Sequence, residues 1–224
     1  MTFIKDNPDN LVLTSPAITL RRVAVSALDN NVYLLTSRTT GRQVLIDAAD
    51  DAPAIAALLA QAAGDGPGAH VAFIVTTHRH HDHIRALAEV AKATGAPSLA
   101  GGDAAAIAAA TGVPTEELRP GDQVAAPELA LEAITLRGHT PGSVALAYRE
   151  PGQPVQLFTG DSLFPGGVGN TGGDPARFAQ LLGDVEARLF DRFPDDTAVH
   201  PGHGQPTTLG AERPHLAEWR ARGW

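Results

Sequence analysis

The sequence predicts an α/β (α+β) fold in which two packed sheets are flanked by helices. Strand-like and helix-like segments alternate along the chain, and strand patterns occur in both halves, which indicates two sheets rather than one. No long linker, repeat or low-complexity block interrupts the alternation, so we expect a single domain over residues 1–224. The 224 residues, of which 43% are hydrophobic, are enough to bury the core of such a domain.

The first half of the chain carries the clearest strand signals. Residues 17–25 and 30–37 are rich in apolar and β-branched side chains, and residues 43–49 follow the turn-rich RTTGR. We therefore expect 30–37 and 43–49 to form a hairpin. A proline suited to a first helical turn opens a predicted helix over 53–63, and the apolar run 69–77 is typical of a fully buried strand.

The remaining elements alternate in the same way. Glycine ends two of the predicted helices, and apolar runs mark three strands before a long helix. In chain order these elements are helices over 84–95 and 102–112, strands over 129–138, 144–150 and 155–160, and helices over 174–193 and 209–221.

The composition limits which partners the chain can bind and which side chains can form a metal site. A net charge of −8 without any basic run disfavours nucleic acid, since Lys and Arg at phosphates provide most of that affinity. The N-terminal residues lack the apolar stretch of a signal peptide and no later run reaches membrane-spanning length, so we expect a cytoplasmic protein with a small-molecule substrate and no membrane partner. Because the chain has no cysteine, any metal must be bound by imidazole and carboxylate groups.

The segment THRHHDH, residues 77–83, is the strongest functional signal in the chain. It directly follows a predicted buried strand. His78 and His80 are two positions apart, so in an extended turn their rings can face the same way and bind one metal ion. Asp82 and His83 come next, at the start of a predicted helix, where they can face a second ion.

Three later loops supply further candidate ligands. His139 lies in RGHTPGS, Asp161 in LFTGDSLF and His203 in HPGHG. Each is a weak signal alone, because a single histidine or aspartate after a strand is more often a surface residue or a helix cap. Together with the histidine-rich segment they have the number and type of groups for a site with two metals, in which a carboxylate spans the ions.

Other histidines are expected to play no part in ligation. His81 lies inside the motif but off its pattern, which favours an outer or solvent-facing position. His200 competes with His203 for the last ligand position, and His203 is preferred because flanking glycines permit close approach of the backbone. His70 and His215 are expected to be surface or packing residues.

The ordered set of histidines and aspartates resembles the metallo-β-lactamase superfamily. The blocks THRHHDH, GHTPGS, FTGDSLF and PGHG are most similar to its glyoxalase II (hydroxyacylglutathione hydrolase) branch, and the resemblance extends from NNVYLL and LIDAAD to PGHG. It implies a four-layer αββα sandwich of two mixed sheets flanked by helices. It also implies two sets of ligands and one bridging group: His78, His80 and His139 for the first metal, Asp82, His83 and His203 for the second, and Asp161 between them.

The resemblance further implies a metal-dependent hydrolase that uses a hydroxide held by the metal to cleave a small thioester or ester. Two Zn²⁺ ions are expected, with iron as the alternative, because zinc imposes no geometric preference and suits mixed ligands. Asp82 and Asp161 would be the catalytic carboxylates, and Asp82 could also accept a proton from water. The alternatives within the fold are an iron-dependent persulfide dioxygenase, with one metal bound by two histidines and an aspartate, and a lactonase.

Two departures from the glyoxalase II pattern bear on the substrate. The glycine-rich segment 164–175 is expected to line the mouth of the site, and Asn170 stands where that branch usually has an arginine. GQPTT follows His203 where the branch has a tyrosine, and with Trp224 as the last residue of the sequence we expect no helical C-terminal extension like that of the branch. Because those groups contact glutathione in the branch, we do not expect strong glutathione recognition.

Overall fold

Two mixed β-sheets and six α-helices make up the part of the chain that the computed structural model describes, residues 10–124 and 129–223. The predicted domain over 1–224 therefore includes residues 1–9, 125–128 and Trp224, which lie outside the described residues. Within the described ranges, none of the helices has both the length and the apolar character needed to cross a membrane.

The first sheet has seven strands whose order in the sheet follows their order in the chain. The strands are β1 (Leu11–Thr14), β2 (Ile18–Val25), β3 (Asn30–Ser37), β4 (Arg42–Ile46), β5 (His70–Thr76), β6 (Ser98–Ala100) and β7 (Thr115–Glu117). Strands β1 to β4 pair antiparallel and β4 to β7 pair parallel. The predicted hairpin between residues 30–37 and 43–49 is confirmed as β3 and β4.

The second sheet has six strands in the order β15-β14-β11-β10-β9-β8, and a separate two-stranded hairpin lies after β11. The strands are β8 (Gln123–Val124), β9 (Leu131–Thr135), β10 (Val144–Tyr148), β11 (Gln156–Gly160), β14 (Ala198–Pro201) and β15 (Thr207–Thr208), and the hairpin is β12 (Leu163–Phe164) with β13 (Gly167–Val168). Only β11 and β14 pair parallel among these described strands.

The helices form the two outer layers. They are α1 (Ala52–Gln61), α2 (Leu87–Thr94), α3 (Ala104–Thr111), α4 (Pro175–Val185), α5 (Leu209–Glu212) and α6 (Leu216–Arg222). The N-caps of α1 and α4 are aspartates, Asp51 and Asp174, whose side chains accept hydrogen bonds from first-turn backbone amides. Proline in the first turn of both helices fits the same start signal.

Three apolar clusters separate the four layers. In β3, Leu34 packs into the cluster under α1 to α3, whereas the next residue, Leu35, packs into the cluster between the sheets. In β10, Leu146 faces the cluster between the sheets and Ala147 faces the cluster under α4 to α6. Side chains alternate across a strand, so strands buried on both faces hold three cores at once. The four-layer αββα arrangement is thereby confirmed.

The predicted helix over residues 84–95 begins later than expected. Asp82 and His83 lie in a short 3₁₀ turn, His81–His83, and α2 starts only at Leu87. The backbone amides of Arg85 and Ala86 donate to the carbonyl oxygens of residues 49 and 48 instead of to carbonyls of a preceding helical turn. This pairing fastens the ligand-bearing turn to the end of the first sheet before the helix begins.

Candidate metal centre

Four loops at strand ends bring the predicted ligands together. The histidine-rich segment 77–83 follows β5, His139 follows β9, Asp161 follows β11 and His203 follows β14. Because the loops extend from strands of both sheets, the site lies at one edge of the sandwich, where a rigid scaffold fixes side chains on otherwise irregular backbone.

The first subsite is the group His78, His80 and His139, whose candidate ligand atoms all lie within 4.8 Å of one another. The Nε2 atom of His78 is 3.1 Å from Nδ1 of His80. His78 and His139 are buried, whereas His80 is open to solvent. The three ligand atoms therefore lie close enough to share one ion, and His80 is the exposed member of the group.

Hydrogen bonds at the far nitrogens orient two of these rings. Thr77 Oγ1 lies 3.1 Å from His78 Nδ1, and His139 Nδ1 donates to the backbone carbonyl of Asn170 at 2.7 Å. Burial lowers the pKa of His78 well below its usual value and also lowers the pKa of His139. Both rings are therefore neutral near pH 7, which is the form that binds metal.

Asp103 connects the two loops that form the first subsite. Its buried carboxylate accepts a hydrogen bond from the backbone amide of Arg79 at 3.2 Å and another from Thr140 Oγ1. Arg79 lies between the two histidines of the first loop, and Thr140 directly follows His139. One carboxylate thus fixes the spacing of both loops.

The second subsite is the group Asp82, His83 and His203, whose candidate ligand atoms also lie within 4.8 Å of one another. Oδ2 of Asp82 is 3.3 Å from Nε2 of His203 and 3.6 Å from Nε2 of His83. His83 is fully buried, and the other two side chains are partly exposed.

Both histidines of the second subsite have a partner at the ring nitrogen that faces away from the centre. His83 Nδ1 is 2.9 Å from Oδ2 of the buried Asp47, and His203 Nδ1 donates to the backbone carbonyl of Leu28 at 2.7 Å. Burial alone lowers the pKa of His83, but the neighbouring carboxylates, Asp47 foremost, raise it to about 10. Such partners fix the ring orientation and make the imidazole a more basic ligand.

Asp161 lies between the two subsites. Its Oδ2 is 3.5 Å from His139 Nε2 and 3.4 Å from His203 Nε2, and its Oδ1 is 3.4 Å from His83 Nε2. Burial opposes ionisation of this carboxyl, yet the nearby imidazoles of His203 and His83 hold its pKa well below its usual range. A side chain at Gly202 would place Cβ 2.2 Å from Oδ1, so only glycine leaves room for the carboxylate there.

The cluster fits a metal site on its own chemistry. His139 Nε2 and Asp161 Oδ1 are buried atoms that make no hydrogen bond, although buried polar atoms almost always have a partner. Both point into the centre, where a cation would satisfy them. Imidazole and carboxylate ligands without sulfur suit zinc and iron alike.

The remaining histidines lie apart from the centre. His81 is exposed, and its Nδ1 accepts a hydrogen bond from Arg85 Nε. His200 is buried within the sandwich, where its Nε2 is 2.8 Å from Gln156 Oε1, so it does not compete with His203 for the site. His70 and His215 are exposed.

The glycine-rich segment 164–175 borders the first subsite. Gly169 packs so closely that an added Cβ would lie 1.8 Å from the backbone oxygen of Asp161, and the carbonyl of Asn170 holds His139. The side chain of Asn170 is exposed and accepts from the amide of Gly172. The segment therefore contributes backbone groups to the site.

Two residues in contact with the second subsite carry no sign of that role in the sequence. Asp47 belongs to the block LIDAAD and Asn30 to the block NNVYLL, both of which matched the family pattern without a role. Asp47 has a φ of 57°, a left-handed conformation that is uncommon outside glycine and that Asp and Asn tolerate best. Nothing local in the sequence indicates that either residue reaches the histidine-rich segment.

Comparison with known proteins finds that residues 25–203 match the family model described as the metallo-beta-lactamase superfamily. A hydroxyacylglutathione hydrolase from Anaeromyxobacter dehalogenans (strain 2CP-C) is 41% identical over 179 residues, which cover 78% of this chain and 61% of that protein. Another from Fuscovulum blasticum is 37% identical over 176 residues, covering 78% and 62%. The chain thus spans less than two thirds of the length of these curated relatives.

Two solved structures are similar to this chain in both sequence and fold. TTHA1623 in a di-iron-bound form is 33% identical, with a TM-score of 0.66 and coverage of 86% of this chain and 96% of that one. ETHE1 from Myxococcus xanthus is 25% identical, with a TM-score of 0.73 and coverage of 90% and 84%.

Proposed function

The chain belongs to the metallo-β-lactamase superfamily, and we propose that it is a hydrolase that cleaves a small thioester or ester at a binuclear metal centre. The observation that carries this proposal is the position of Asp161, within 3.5 Å of histidine nitrogens from both subsites. A carboxylate so placed suits the bridging role in a two-metal site. The catalytic unit proposed is a single domain over residues 1–224.

The proposed ligands follow the two subsites. His78, His80 and His139 would hold one ion, Asp82, His83 and His203 the other, and Asp161 both; we propose Zn²⁺ in each. Bound metal would lower the pKa of a coordinated water towards about 7 and polarise the substrate carbonyl. Because His80 is exposed and Asp82 and His203 are partly exposed, substrate would reach the centre past these side chains.

Asp82 is proposed as a ligand rather than as a general base. Burial opposes ionisation of this carboxyl, but the hydrogen bond from Asn30 and the nearby His83 keep its pKa below its usual value. A general base works best with a pKa near the working pH, and this shift moves the carboxyl further from that range. As an anion it is well suited to hold a cation.

The surroundings of the centre favour a compact leaving group. Glutathione carries carboxylates, for which Arg or Lys provides the strongest partners. Arg177 is the first cation after Asp161, and its guanidinium donates to the backbone carbonyls of Gly138 at 2.9 Å and His139 at 2.6 Å. Arg177 therefore binds the backbone of the loop that carries His139. Asn170, which stands where the glyoxalase II branch has an arginine, carries no charge that could pair with a carboxylate.

The specificity constants for two thioesters test this proposal. We expect a compact acyl thioester or ester to be cleaved with a kcat/KM at least equal to that for S-lactoylglutathione, since the ratio of these constants measures differential binding of the transition state. The relatives named hydroxyacylglutathione hydrolase make the glutathione thioester the reference substrate. A strong preference for it would contradict the proposed compact substrate, and no hydrolysis of either would contradict the hydrolase.

The second candidate is an iron-dependent persulfide dioxygenase with one metal. Its two histidines and one aspartate would correspond here to His78, His139 and Asp161, and the two Nε2 atoms are 3.9 Å and 3.5 Å from Asp161 Oδ2. The equally complete second subsite favours hydrolysis instead. Metal analysis together with an oxygen-uptake assay on persulfides distinguishes the two, and a lactone panel tests the remaining lactonase alternative.

A further inference from the structure

The side chain of Asn30 is fully buried against the second subsite. Its Nδ2 donates to Asp82 Oδ2 at 2.9 Å and lies 3.4 Å from His83 Nε2 and 3.5 Å from His203 Nε2. An ionised carboxylate only accepts hydrogen bonds, so the amide must present its NH₂ group to Asp82. Asn30 is thus within reach of the inward-facing atoms of all three candidate ligands.

The neighbouring loop fixes the orientation of this amide. Ser26 Oγ donates to Asn30 Oδ1 at 2.6 Å, and the backbone amide of Leu28 donates to Ser26 Oγ at 3.0 Å. These bonds form a chain from the loop backbone through Ser26 and Asn30 to Asp82. The amide is therefore held in one orientation before any ion binds.

The backbone around Asn30 is tied to the loop that carries His203. Asn30 and His203 form an isolated antiparallel bridge, and the amide of Asn31 donates to the carbonyl of Gly202 at 2.7 Å. Asn30 consequently connects Asp82, from the first sheet, to His203, from the second. The first subsite is supported differently, by Thr77 and by the backbone carbonyl of Asn170.

We propose that Asn30 is a positioning residue that orients Asp82 and thereby sets the affinity of the second subsite for its ion, without contributing to the first. The inference rests on the proposed binuclear centre. Its physical basis is that an aspartate side chain free to rotate must be ordered when metal binds, whereas the bond from Asn30 orders it beforehand. Hydrogen-bond partners of metal ligands typically contribute about 10- to 100-fold in metal affinity.

The test is a stepwise Zn²⁺ titration of metal-free wild type and Asn30→Ala against a chromophoric chelator, with elemental analysis after dialysis. The variant is expected to bind the ion of the first subsite with wild-type affinity. It should bind the ion of the second subsite about 10- to 100-fold more weakly. Gln61→Ala is the control, because this exposed amide on α1 bonds only Asn10 in the described part of the chain, away from the centre. Circular dichroism of the metal-free proteins checks that each is folded.

Ser26→Gly is the second variant and touches no ligand candidate. Ser26 has a φ of 64°, which glycine adopts without strain, so the substitution removes the hydroxyl that anchors Asn30 while suiting the backbone. A smaller loss of affinity, again confined to the second ion, is expected. If Asn30→Ala fails to fold, this variant carries the test.

The outcomes separate the inference from the proposed function. Wild-type affinity for the second ion in both variants, or equal weakening of both ions, overturns the positioning role. Binding of one ion by the wild type contradicts the binuclear centre itself and removes the basis of the inference. Two ions in the wild type with selective loss of the second in the variants supports both.

Discussion

The two subsites lie side by side but differ in charge and in the groups behind their rings. The first consists of three imidazoles, and burial lowers the pKa of each. The second includes the carboxylate of Asp82, and the carboxylate of Asp47 helps to raise the pKa of His83 to about 10. The first subsite therefore offers neutral nitrogens directly, whereas the second must exchange a proton for a metal ion.

Loss of the group shared by both subsites should have the largest effect. Asp161→Ala removes a carboxylate that lies close to histidines of both, so both ions should bind more weakly. Turnover should fall by at least about 10³-fold, because metal ions supply several kcal/mol of transition-state stabilisation and each 1.36 kcal/mol is tenfold in rate. Hydrolysis and metal content are measured on protein shown to be folded by circular dichroism. Unchanged turnover with both ions bound would exclude the bridging role.

Asp47→Asn should weaken the second subsite selectively. Asparagine tolerates the left-handed backbone of position 47 and can still accept the amide of Thr77, but it lacks the charge that faces His83. We expect about a 10- to 100-fold loss of affinity for the second ion and little change for the first. Chelator competition measures both constants, with His81→Ala as the control for an exposed histidine in the same segment. An equal loss at both subsites would refute the distinction.

Proton release should distinguish the subsites without any substitution. At pH 8 the raised pKa of His83 keeps it protonated in metal-free protein, so binding of the second ion should release at least about one proton. The neutral histidines of the first subsite should release none. Calorimetric titration of Zn²⁺ in buffers of different ionisation enthalpy counts these protons. Equal release in the two steps would show that the subsites titrate alike.

The same raised pKa predicts how the stability of the metal-free protein depends on pH. Because the pKa of His83 is higher in the folded chain than the ordinary 6.5, its charge stabilises the fold fully below pH 6.5. This contribution is lost as the pH rises through about 10. Thermal unfolding of the metal-free wild type should therefore occur at a lower temperature at pH 10 than at pH 7. The difference between the two unfolding temperatures should be smaller in Asp47→Asn. A difference unaffected by the substitution would assign the effect to other groups.

Sequence patterns located the ligand candidates but not the residues that hold them. Spacing within one segment and the position of loops after strands predicted the seven side chains that the structure brings together. Asp47 and Asn30 lie 36 and 53 positions from His83, so their contacts depend on the packing of β3 and β4 beside the histidine-rich turn. The late start of α2 has a similar origin, since the two backbone amides just before its first residue donate to the carbonyl oxygens of residues 48 and 49. Local periodicity does not encode such pairings.

The metal content of the purified full chain tests the binuclear centre most directly. Seven candidate ligands exceed what one tetrahedral ion uses, and they form two groups joined by Asp161. Elemental analysis and native mass spectrometry of the same sample should give two metal ions per chain, predominantly zinc. A single ion per chain, and that ion iron, would contradict the binuclear zinc centre.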